Sequence, residues 1–241
     1  MILPAVIGHR GAAGLAPENT LAAVRAAAGA GLTMVEFDVR LTADGEPVVF
    51  HDDELERTSD GRGRVADLGL TQLRRLDAGS WFGAAFAGEG IPTLDEVLEL
   101  CLELGLAVNI EIKPDTGREA ETARIALGRA IRRWPADRPV PLVSSFAVAA
   151  LETAVDVAPS WPRGLLVGAV PDDWSGLAER MKCATIHADH ARLDAGRVAE
   201  IRQSGRRVLA YTVNDPVRAA GLWAMGVAAV FSDAPPFVMI S

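Results

Sequence analysis

From Thr93 onward the chain alternates between helix and strand, and this constrains the fold more than any other feature. Leu94, Val97, Leu98, Cys101 and Leu102 recur at helical spacing behind Thr93, a good cap, and predict a helix over 93–104. Strand 107–112, helix 118–133, strand 140–144 and helix 147–157 follow. Strand 164–168, helix 174–182, strand 184–187, helix 194–204, strand 207–213, helix 215–225 and strand 228–231 complete the series. Such alternation builds βαβ units and a parallel sheet. With an opening strand at 5–9 and another from 34, the parallel strands begin near residues 5, 34, 107, 141, 164, 184, 207 and 228. Eight such strands in 241 residues predict an α/β fold, a closed (β/α)8 TIM barrel. The open doubly wound sheet is the competitor, but no Gly-x-Gly-x-x-Gly turn follows the first strand, so a dinucleotide site is unsupported.

Residues 34–53 carry the first chemistry. Two apolar arms flank Asp44-Gly45, a strong signal for a tight hairpin. With those two residues at the centre of the turn, Ala43 faces Glu46, Arg40 faces Val49 and Asp38 faces His51. Glu36 and Asp38 are two apart and share one side of their strand. Two carboxylates in an apolar run are costly unless a cation or a partner neutralises them. A helix to about Gly29 is expected before the hairpin, capped by Asn19 or Thr20. After it, residues at about 53–92 form a small polar insertion with a short helix over 71–76 and a glycine-rich loop over 79–90. Trp81 and Phe82 in that loop either wall a pocket or pack the insertion onto the body.

Active sites of such barrels lie at the carboxyl ends of the strands. There the sequence sets His9-Arg10, Glu36 and Asp38, Glu111 and Lys113, Tyr211 with Asn214, and Ser232-Asp233. Glu36, Asp38 and Glu111 suit a hard divalent cation, Mg2+ or Ca2+. His9 and His51 suit proton transfer near neutral pH, and Arg10 and Lys113 suit a phosphate. Together they describe metal-assisted phosphoester chemistry. His187 is expected to end its strand facing the pocket, and His190 to lie exposed in a loop.

A net charge of −8 without a basic cluster argues against binding to nucleic acid or an anionic membrane. Cys101 and Cys183 lack metal-type spacing and read as buried free thiols. The first residues lack the basic start of a signal peptide, and no uncharged run reaches the roughly 18 residues of a membrane span. A cytoplasmic protein is expected. Leu222, Trp223 and Met225 face either a second subunit of a homo-oligomer or the strand beneath, and the strand is preferred.

His9-Arg10-Gly11, Pro17-Glu18-Asn19-Thr20, Glu36-Phe37-Asp38, His51-Asp52, Glu111-Ile112-Lys113 and Tyr211-Thr212-Val213-Asn214 together resemble the motif set of the glycerophosphodiester phosphodiesterases. Leu55-Glu56-Arg57-Thr58 and Asp77-Ala78-Gly79-Ser80-Trp81-Phe82 are similar to the bacterial cytoplasmic members, and the likeness runs from about residue 6 to 234. The resemblance implies a TIM barrel that cleaves a small-molecule glycerophosphodiester to sn-glycerol 3-phosphate and an alcohol. It implies Mg2+ or Ca2+ on Glu36, Asp38 and Glu111, acid and base roles for His9 and His51, and phosphate contacts from Arg10 and Lys113. Glu18, Asn19, Tyr211 and Asn214 join as substrate-binding or supporting residues. Tyr211 stands where the family often has Trp, and Ser232 where it often has Thr, changes that touch substrate fit more than chemistry. A barrel phosphodiesterase acting on lipids would show a basic or apolar rim, and an idle phosphoester-binding protein would have lost a carboxylate or a histidine.

Overall fold

A computed structural model of the chain describes residues 2–235 and 238. Eight parallel strands form the wall: β1 (Val6–Gly8), β2 (Met34–Leu41), β4 (Ala107–Ile112), β5 (Leu142–Ser145), β6 (Arg163–Val167), β7 (Cys183–Asp189), β8 (Arg207–Tyr211) and β9 (Ala229–Ser232). Neighbours pair in parallel around the ring, and β1 bonds both β9 and β2, which closes it. The outer helices are α1 (Leu21–Gly29), α3 (Leu94–Glu103), α4 (Glu119–Arg133), α5 (Val148–Val157), α6 (Trp174–Arg180), α7 (Ala195–Gln203) and α8 (Pro216–Met225). The fold is therefore the (β/α)8 barrel that the alternation predicts.

The helices form where their caps and apolar stripes say they should. Thr20 caps α1 by accepting from the Ala23 amide. At α3, Thr93 accepts from Glu96 N–H while the Glu96 carboxylate accepts from Thr93 N–H, a reciprocal capping box. Leu94, Val97, Leu98 and Cys101 bury the inner face of that helix. Leu222 is fully buried and Trp223 and Met225 pack on the same core, so that face of α8 meets the barrel. None of the described helices is long and apolar enough to cross a membrane.

What positions the site is a gradient along the inward-facing residues. Ile7, Met34, Leu142, Leu209, Ala229 and Phe231 fill the amino half of the barrel as one apolar cluster. Further along the same strand faces come Glu36 and Asp38, Asn109 and Glu111, Ser144, and His187. Because side chains repeat with period two, each strand delivers its polar residues to the same end and the same side.

The hairpin register differs from the expectation. Strand β3 (Pro47–Val49) pairs Val49 with Val39, Val48 with Arg40 and Pro47 with Leu41, one residue off the predicted pairing. The turn has three residues rather than two, closed by Thr42 N–H to Glu46 O (3.0 Å) and Gly45 N–H to Thr42 O (3.1 Å), with Gly45 at φ +79°. Thr42 also bonds Asp44 and accepts from the Glu46 amide, which favours the longer loop. Asp38 therefore faces Phe50, whose amide bonds the Asp38 carbonyl at 3.0 Å, and not His51.

After β3 the chain leaves the barrel until Thr93. With Val48 of β3, this stretch builds a small apolar cluster from Phe50, Leu55, Val65, Leu73, Ala78 and Ile91. Its short helix α2 (Leu70–Leu73) begins one residue before the predicted one and ends three earlier. Trp81, Phe82 and Phe86 stack edge to face, so Trp81 and Phe82 pack the insertion and do not wall the cavity described below.

Candidate active site

The register between β2 and β4 creates the central feature. Asp38 lies opposite Glu111 and Glu36 opposite Asn109, which brings three buried carboxylates, Glu36, Asp38 and Glu111, to one spot. One oxygen of each lies within 4.8 Å of the others. By themselves they cannot all stay ionised. Burial, Asp38 and Glu111 raise Glu36 well above the ordinary carboxylate range, and burial and Asp38 raise Glu111 to about 7. Burial also works against Asp38, but Lys113, Arg10, His51 and Asn19 outweigh it and hold Asp38 below the usual range.

The surroundings fix each carboxylate differently. Asn19 donates to Asp38 at 2.8 Å and accepts from its amide at 3.2 Å. Glu36 accepts the Arg10 amide at 3.0 Å through one oxygen, and its other oxygen is buried without a partner. Arg10 adopts φ +50°, the left-handed region that costs a non-glycine residue about 1 kcal/mol, and this aims its amide at Glu36. An orphaned oxygen within an all-oxygen set of three carboxylates fits a hard divalent cation.

Two histidines flank the cluster, each with its own carboxylate. His9 Nδ1 bonds Asp233 at 2.6 Å, and its Nε2 lies 4.0 Å from Glu36. His51 Nδ1 bonds Asp52 at 2.5 Å. Strand pairing does not deliver His51. Arg40, next in the inward series after Glu36 and Asp38, donates to the His51 carbonyl at 2.8 Å and also pairs with Asp53. Burial lowers the His51 imidazole below its ordinary value, and Arg10 and Lys113 add to this against the pull of Asp38 and Asp52.

The cations are shared. Lys113 lies 3.4 Å from both Asp38 and Glu111. Arg10 donates to Glu18 at 2.7 Å and lies 3.5 Å from Asp38. Glu18 thus holds Arg10 from behind. Asn214 likewise works through a neighbour, since its amide donates to Asp233 at 2.9 Å and its carbonyl oxygen accepts from Ser232 and the Asp233 amide. Tyr211 sits at the cavity wall, its hydroxyl donating to Val167 O at 2.8 Å and its ring edge-on to Phe146.

These groups open into a cavity of about 220 Å³ lined by His9, Arg10, Glu36, His51, Glu111, Lys113 and Tyr211, floored by Asn109, Ser144, His187 and Phe231. Asp38, Glu18, Asn19 and Asn214 stand behind that lining. His187 faces the cavity as expected, bonded to Thr185 at 2.8 Å, whereas His190 is half-buried and bonded by Arg218 rather than exposed. Sequence reasoning passed over Asp233 as the partner of His9, Arg40 as the clamp on His51, and Asn109 and Ser144 as floor. The signal for two of them was present: Arg40 continues the step of two from Glu36 and Asp38, and Asn109 precedes Glu111 and Lys113 by the same step. A larger cavity, about 830 Å³, lies at the amino ends of β2, β4 and β5. Its lining is apolar apart from a few groups, and its one charged residue, Arg163, is spent on backbone carbonyls, so no acid or base works there.

Comparison with known proteins agrees with this geometry. Residues 9–236 match the model of the glycerophosphoryl diester phosphodiesterase family. The chain belongs to this family. Among its relatives in the family is the glycerophosphodiester phosphodiesterase of Caldanaerobacter subterraneus subsp. tengcongensis, 35% identical over 235 residues, 95% of this chain and 94% of the relative. The glycerophosphodiester phosphodiesterase of Bacillus subtilis is 32% identical over 95% of this chain and 83% of its own length. A phosphodiesterase of Oleispira antarctica, solved in complex with the product sn-glycerol-3-phosphate, is 43% identical with a TM-score of 0.96, covering 99% of this chain and 96% of that one. As a glycerophosphoryl diester phosphodiesterase family member, the chain is an enzyme of the phosphoric diester hydrolase class.

Proposed function

We propose that this chain hydrolyses glycerophosphodiesters to sn-glycerol 3-phosphate and an alcohol, with Mg2+ or Ca2+ on Glu36, Asp38 and Glu111 and with His9 and His51 moving the protons. The observation that carries the reading is a buried three-carboxylate cluster with one unpartnered oxygen, flanked by two histidines that each have a carboxylate on Nδ1. The Oleispira antarctica relative with sn-glycerol-3-phosphate bound supports the choice of product. A cation held there would supply Lewis-acid polarisation of a phosphoryl oxygen and a template for its orientation.

The chain's own residues account for the rest. With Nδ1 engaged, each imidazole has its Nε2 free for proton transfer. One histidine takes a proton from the attacking oxygen, that of water in the step that releases sn-glycerol 3-phosphate, and the other gives a proton to the departing alkoxide oxygen. Burial lowers the His51 pKa, which favours the neutral imidazole that can accept a proton. Lys113 and Arg10, both on the cavity lining, neutralise the phosphate oxygens. Tyr211 and Phe146, edge to face, form part of the cavity wall that the substrate would meet. We further take the barrel with its insertion at about 53–92 as one domain over 1–241, working in the cytoplasm, where the buried thiols of Cys101 and Cys183 stay reduced.

The test is release of sn-glycerol 3-phosphate from glycerophosphocholine before chelation, after it, and with Mg2+ or Ca2+ restored. Release that stops on chelation and returns with the cation supports the proposal. Release indifferent to chelation removes the metal, and no release from any glycerophosphodiester in the presence of either cation removes the activity.

A further inference from the structure

The insertion returns one cation to the site. Arg57 donates to Asp52 through Nε and Nη2 at 2.5 and 3.0 Å, and to Glu18 through Nη1 and Nη2, both at 2.8 Å. Each of these carboxylates holds a residue of the site. Asp52 bonds His51 Nδ1 at 2.5 Å, and Glu18 accepts from Arg10 Nη1 at 2.7 Å. One planar guanidinium thus joins the two chains of contact that end on a proposed proton carrier and a proposed phosphate ligand. Glu18 lies in the loop before α1 and Asp52 follows β3, so the guanidinium ties together two separate parts of the chain.

We propose that Arg57 is a positioning residue through which the insertion sets His51 and Arg10 relative to each other, building on the hydrolase reading above. Asp52 and Glu18 are like charges that repel when brought to one place, and a cation between them is what lets both stay close. The Arg57 side chain is 45% exposed, and exposed ion pairs add little to stability. Its four bonds therefore matter for geometry more than for folding. Lysine cannot replace it, because a single ammonium point charge lacks the fork that meets two carboxylates side-on.

The experiment compares Arg57→Ala and Arg57→Lys with the wild-type chain in steady-state release of sn-glycerol 3-phosphate, together with the low-field imidazole proton of His51 in NMR spectra. Arg57→Ala is expected to lose about 10- to 100-fold in kcat, the usual range for residues that orient a site, with KM within about threefold. Methylguanidinium should restore part of that loss, Arg57→Lys should not recover it, and thermal melting should move little. The His51 proton signal should shift or vanish while that of His9, held by Asp233, persists. Near wild-type kcat in either variant, a loss confined to KM, or an unmoved His51 signal overturns the proposal. If the wild-type chain itself releases no product, the hydrolase reading falls, and the NMR comparison alone still decides whether Arg57 positions His51.

Discussion

Asp233 fixes His9 by a 2.6 Å bond to Nδ1 and is itself fixed by the amide of Asn214 at 2.9 Å. Asp233→Asn keeps the shape but removes the charge that selects the imidazole tautomer, so kcat should fall about 10- to 100-fold with melting nearly unchanged, as steady-state kinetics and a thermal scan would show. His187 makes a second prediction at this scale. Burial lowers its pKa from 6.5 to about 3. Between those values the unfolded chain binds a proton that the folded chain refuses, so this residue's contribution is complete above pH 6.5 and is lost as pH falls toward 3, by about 1.4 kcal/mol per unit. Urea unfolding of His187→Asn between pH 6 and 4 should show a shallower loss than wild type by about that slope, and equal slopes would refute it. Residue types and strand ends were legible in the sequence: Glu36, Asp38, Glu111 and Lys113 meet where strand parity puts them, whereas His51 arrives through the Arg40 bond to its carbonyl and not through the expected pairing with Asp38. The partners were not, because Asp233 reaches His9 across 224 residues and no local pattern encodes that contact.

At the scale of elements, the hairpin shows the limit of turn chemistry. Asp44-Gly45 announces a turn, but the side-chain bonds of Thr42 decide for three residues over two, and one residue of slip moves every cross-strand partner. Gly45 has open space where a Cβ would go, so Gly45→Ala should cost only the left-handed backbone, about 1 kcal/mol, read from a urea midpoint. Thr93→Ala should cost a similar amount, about 1 kcal/mol, by breaking the reciprocal cap on α3. That cap and the apolar stripe behind it made 93–104 readable as a helix, against Leu94–Glu103 observed. The insertion lacked such periodicity. Its order comes from 3₁₀ turns, the seven-residue apolar cluster and side-chain bonds to loop amides, which hydrophobic spacing does not register.

For the whole molecule, one gradient explains both stability and chemistry. The inward residues are apolar at the amino end and polar at the carboxyl end, so the barrel seals its core below and gathers its charges above. Closure adds the condition that the strands be in register, and the β2–β4 register turns three separated carboxylates into a cluster. The most direct test is calorimetric titration of Mg2+ or Ca2+ into the chelator-treated chain, beside Glu36→Gln and Glu111→Gln. The account predicts about one cation bound per chain and at least a tenfold loss of affinity in each variant. Absence of binding by the wild-type chain, or undiminished binding by both variants, would contradict it.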